Sequence, residues 1–112
     1  MQSNTQVLTL SLALTGTVAQ YGAVTAAGAP ATAAGNAVGF AQVAGVSGDL
    51  VPVIVLGTSL ATAGAAISAG ALVEVGSTVS QVVTKSAGIA IGRALNAASA
   101  AGDIVEVLTL PN

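Results

Sequence analysis

The 112-residue chain predicts an all-β fold: a compact small barrel or sandwich of short strands, with an N-terminal arm and at most one short helix near residues 94–101. Three observations carry this expectation. Apolar and polar residues alternate in several short runs, the two-residue period of a half-buried strand. Gly28, Pro30 and Gly35 break the alanine-rich stretch 26–36 before it reaches three helical turns. A Gly-Asp pair leading into β-branched residues is written twice, as GDLVPVIVLG at 48–57 and GDIVEVLTL at 102–110.

The elements follow in order. Leu8, Leu10, Leu12 and Leu14 alternate with Thr9, Ser11 and Ala13, which predicts a first strand with one apolar and one polar face. Residues 1–6, MQSNTQ, form the polar arm ahead of a single β domain over 7–112. Gly16 and a second short run, Thr17 to Val24, come next, and 26–36 read as a loop. ALVEVGSTVSQVVT at 71–84 predicts a hairpin. Its Gly76-Ser77 pair suits a two-residue type II′ turn, with Gly76 at positive φ and Glu74 and Gln81 on the polar side.

The stretches 38–57 and 91–110 read as one internal pseudo-repeat. Gly39 aligns with Gly92, and Gly48-Asp49 aligns with Gly102-Asp103 after one inserted residue. Each copy predicts a strand, a turn and a returning strand. Gly39 and Gly92 mark a bulge or a close backbone approach. Gly48 and Gly102 supply the turns, with Asp49 and Asp103 bonding their own backbone. The returning strands are apolar on both faces. Pro52 places the first at an edge or a bulge, and Glu106 in the same slot of the second predicts that this side reaches water in at least one copy. The uncharged copy, 50–56, is expected nearer an interface.

Composition excludes several kinds of chemistry. Without cysteine there is no disulfide framework and no zinc-thiolate site, and without histidine the usual general base and metal ligand are missing. No catalytic, cofactor or metal residue is assigned, and no enzyme activity, small-molecule ligand or cofactor is expected. Net charge is −2, which disfavours nucleic acid as a partner. The apolar run from Val7 to Leu14 is too short to span a bilayer, so no membrane role is expected. Charged residues are only 5% of the chain, far below the usual share of about a quarter. A surface so poor in charge is suited to facing other protein.

The residues Gly92-Arg93-Ala94-Leu95, Ala100-Ala101-Gly102-Asp103, Val105, Val107 and Leu108, with their first copy at VGFAQ through GDLVPVIVLG, resemble the small capsid decoration, or cement, proteins of tailed bacteriophages. The resemblance covers roughly residues 16 to 110, and Pro52 is its departure. It implies a non-enzymatic structural protein, made in the bacterial host cytoplasm and carried on the outer capsid surface. Its implied partners are the major capsid protein and further copies of itself, commonly as a homotrimer, with a dimer as alternative. The arm residues Gln2, Ser3, Asn4, Thr5 and Gln6, together with Leu50, Pro52 and Ile54, are the expected interface. A tail or connector protein, a surface-adsorbing, ice-binding-like protein and a small ligand-binding barrel, for which two aromatics are few, are the rival readings.

Overall fold

The computed structural model describes residues 5–77 and 80–109. It is all-β, and the strands are β1 (Thr5–Ala13), β2 (Ala23–Val24), β3 (Gly39–Ala41), β4 (Leu50–Thr62), β5 (Leu72–Val75), β6 (Val82–Thr84), β7 (Gly92–Ala94) and β8 (Ile104–Thr109). No helix occurs among the described residues, including 94–101, where the chain bends and turns around a bridge between Ala98 and Ile67. One antiparallel sheet runs β2-β3-β4-β8-β7-β5-β6, and β1 pairs with β4. Its ends approach through Ser80, which accepts from the Ala23 N–H and donates its own N–H to the Ala31 carbonyl, so the sheet curls into a nearly closed barrel.

The same set of hydrogen bonds occurs twice, over nearly the whole chain. Leu14 N–H donates to Asp49 O as Ala63 N–H does to Asp103 O. Val18 and Gly45 exchange bonds as Ile67 and Ala98 do, and Gln42 N–H donates to Pro52 O as Leu95 N–H does to Glu106 O. The strand registers agree: Ala13 faces Leu50 as Thr62 faces Ile104. The first unit is thus β1-β2-β3 with the first part of β4. The second is the remainder of β4 with β5, β7 and β8, and β6 added. Within each, three consecutive strands lie side by side and the first returns beside the fourth, a Greek-key order. β4 is the last strand of one unit and the first of the next.

The core follows the duplication. Leu14, Val18, Val24, Ala41, Val51 and Val53 form one buried cluster. Their counterparts Ala63, Ile67, Val73, Ala94, Val105 and Val107 lie in a larger one that also takes in Ala23, Ala31, Ala37 and Phe40 of the first unit. The contact between the units is therefore one-sided. Ala23, Phe40 and Ile54 of the first unit are fully buried, whereas Leu72 is half-buried and Arg93 and Leu108 are exposed at the matching places of the second.

Three local expectations differ. The 71–84 hairpin forms, but Val75 pairs with Val82, so its loop runs over 76–81 and is wider than two residues. Ser80 turns inward, at φ 66, to bond the first unit, and that tertiary anchor overrides the tight local turn. Glu74 is buried, not on a polar face; its Oε1 accepts the backbone N–H groups of Ser86 and Gly88. Thr5 and Gln6 belong to β1 instead of a separate arm.

Candidate interaction surface

No chemical centre presents itself among the described residues. They contain no group of three or more His, Cys, Asp or Glu able to hold a metal ion. A groove of about 360 Å³ between Thr25 and Val38 is lined by small and hydroxyl-bearing residues without a titratable side chain. Lys85 and Arg93 are exposed and donate to the carbonyls of Ser86 and Gly70.

The two Gly-Asp pairs are turns. Gly48 and Gly102 take φ of 95° and 92°, a left-handed conformation that a side chain would strain. Asp49 Oδ2 accepts the Val46 N–H at 2.9 Å. Asp103 Oδ2 accepts the Ala100 N–H at 3.2 Å, the Ser99 N–H at 2.9 Å and the Ser99 hydroxyl at 2.8 Å. Ser99 is the residue inserted in the second copy, and it adds two of those three bonds. The Ser99 hydroxyl, then the Ser99 and Ala100 N–H groups, hold the Asp103 carboxyl below the usual carboxylate range, against a smaller opposing effect of burial. Gly39 and Gly92 sit at close approaches: a Cβ on Gly39 would lie 2.1 Å from the Ile54 carbonyl oxygen, and one on Gly92 would lie 2.3 Å from Val107 Cγ1. Gly76 is buried in the hairpin loop and lies outside the left-handed region; its N–H donates to Gln81 O.

The expected interface residues separate. Leu50 is 71% exposed, and Pro52 beside it is exposed as well. Ile54 is 0% exposed, on β4 between Thr9 of β1 and Phe40 of β3, which removes it from any surface. Gln2, Ser3 and Asn4 lie outside the described residues. Pro52 is not on an edge strand, since β4 has β1 on it at Ser11 and receives Gln42 N–H at the Pro52 carbonyl. Glu106 does not reach water; it is 4% exposed. The copy covered within the chain is thus the charged one, and the uncharged copy is the one left open.

Sequence reasoning passed over Val43 and Val46, which are exposed in the β3–β4 turn next to Leu50. Their counterparts in the second unit are Asn96 and Ala100. The apolar face predicted for the first strand divides: Leu8 and Leu10 are exposed, with Val7 beside them, Leu12 is half-buried, and Leu14 just past the strand is buried. Of the ten large apolar side chains exposed among the described residues, seven lie between Val7 and Leu56, so most of the open apolar surface described belongs to the first unit. The signal was available in the comparison of the two copies: Val43, Val46 and Pro52 are more apolar than Asn96, Ala100 and Glu106.

No curated protein and no solved structure matches the chain. A family model described as phage cement protein matches residues 1–109, nearly the full length. The chain belongs to the phage cement protein family.

Proposed function

We propose that the protein binds the outer surface of a phage capsid and stabilises the lattice of major capsid proteins. The carrying observation is an apolar patch on a chain of this family: Val43, Val46, Leu50 and Pro52 stand exposed around the first Gly-Asp turn. Such a protein strengthens the shell by binding the assembled lattice better than free subunits, which is linkage by mass action. At a free concentration a hundred times the dissociation constant, each site gains about 2.7 kcal/mol. Self-association into a homotrimer, with a dimer as the alternative, would place several contacts on neighbouring subunits at once and raise their effective concentration. The residues ahead of β1 serve as an additional strap onto a neighbouring sheet edge.

The test uses undecorated shells and purified protein. The wild type is expected to bind them and raise their melting temperature. Leu50→Glu is expected to fold normally and lower occupancy, because it puts a charge where an apolar contact forms. Deleting residues 1–6 is expected to weaken occupancy with the fold intact. Failure of the wild type to bind any shell would overturn the function; wild-type occupancy of Leu50→Glu would overturn only the surface.

A further inference from the structure

The contact between the two units of the chain is heterologous: a face used by the first unit meets a different face of the second. Ala23 and Phe40 of the first unit join the core cluster of the second, which includes Ala61, and both Ala61 and Ser59 are 0% exposed. At the edge of that contact Gln42 Nε2 donates to Ser59 Oγ at 3.1 Å. One face of each unit is then left over. In the first unit Leu10 and Leu12 stand at the positions of Ser59 and Ala61; Leu10 is 39% exposed and Leu12 half-buried. In the second unit Leu72, Arg93 and Leu108 stand at the positions of Ala23, Phe40 and Ile54 and are open to varying degrees.

The residues at these two free faces are matched. Gln42 corresponds to Leu95, and Ser59 corresponds to Leu10. Inside the chain that pair is polar on both sides and hydrogen-bonded. On the two free faces it is leucine on both sides, and Leu95 is 45% exposed. A leucine left in water on one free face, and another at the position that would meet it, describes an apolar contact awaiting its second half.

We infer that a second copy of this chain docks its second unit, through Leu95 and Leu108, onto the open face of the first unit at Leu10 and Leu12. The contact repeats between molecules the head-to-tail stacking already present within one. A heterologous contact of this kind builds a ring when its rotation closes, which deepens the self-association in the proposed function and rests on that reading only for its biological use. Stacked so, the incoming copy brings the end of its β8 to the start of β1. Ahead of Thr9, β1 pairs with β4 at Leu8–Leu56, Gln6–Gly57 and Thr5–Thr58 across two register shifts, and docking requires these pairs to part.

Charge exchange tests this directly. Light scattering after size exclusion is expected to show the wild type as a multiple of the 10.5 kDa chain. Leu10→Glu and Leu95→Lys are each expected to fold, by circular dichroism, yet to weaken self-association by at least about tenfold, because each sets one charge against a leucine. The double variant is expected to recover it, since the new glutamate then meets the new lysine of the next copy. Deleting residues 1–6 is expected to leave it in place. A monomeric wild type, single variants of undiminished size, or a double variant that stays monomeric overturns the inference. Shell binding is scored separately on the same proteins, so loss of capsid affinity with the oligomer intact counts against the proposed function, not the stacking. Single variants that keep their size and lose only shell occupancy would assign the Leu10 face to the capsid and overturn the stacking.

Discussion

Pro52 and Glu106 occupy the same place in the two units, and what separates them is a backbone proton. Glu106 is buried, and its N–H donates to Asn96 Oδ1 at 2.8 Å. Pro52 has no N–H, and the residue at the position of Asn96 is Val43, which has no acceptor to offer. The two substitutions therefore compensate each other. Asn96→Val should strand the Glu106 N–H and cost about 1–3 kcal/mol by denaturant unfolding. Val43→Asn, the mirror change, should leave stability within about 0.5 kcal/mol, as an exposed substitution with no donor to meet. Equal costs for both would contradict this account. The aspartates differ in a similar way. Because Asp103 is held below its unfolded value, it stabilises the fold above that value, about 3.9, and the contribution is lost as pH falls through the lower folded value. Asp103→Asn should accordingly lower the urea midpoint at pH 7, and the gap to wild type should shrink below about pH 4. The other carboxylates are common to both proteins and cancel. A gap that persists unchanged to pH 2 would show that Asp103 does not act through its charge.

At the scale of elements, the strands that alternate cleanly were legible, and so were the turns that need glycine. The Leu8–Leu14 alternation marks β1, and Gly48 and Gly102 mark the two turns because left-handed backbone is costly for other residues. What the sequence did not disclose came from contacts far along the chain. The loop after Gly76 is wide because Ser80 reaches Ala23 and Ala31, and nothing near Gly76 announces those partners. Glu74 and Glu106 are polar residues in alternating runs, so a local reading sends them to water; only the fold supplies the backbone N–H groups that let Glu74 be buried. Leu8 and Leu10 continue the alternation of Leu12, which packs against the first core cluster, yet they stand exposed. The full extent of the duplication was also hidden. Side chains agree between the copies mainly at 38–57 and 91–110, whereas the earlier halves, β1 against the end of β4, agree in hydrogen bonding and not in residue type.

At the scale of the molecule, the shared strand and the shared core decide how the protein unfolds. β4 belongs to both units, so neither keeps its sheet if the other opens. Phe40 comes from β3 of the first unit but is buried, 1% exposed, in the cluster that holds β5, β7 and β8 of the second. A truncation at this position ought to weaken the second unit as much as the first. Phe40→Leu removes part of a fully buried ring and should cost about 1–2 kcal/mol, small enough to leave a domain of this size folded. If the two units form one cooperative body, native-state hydrogen exchange will show protection falling by the same amount at Val53 in the first unit and at Val105 and Val107 in the second. Denaturant unfolding followed by two probes will keep a single coincident transition. If instead the amides of β8 keep their protection while those of β3 lose it, the units are separate folding bodies joined by a strand. A half-chain of residues 1–57 carries the same logic further: without the second unit Ala23 and Phe40 lose the core cluster they join, and it should remain unfolded on its own.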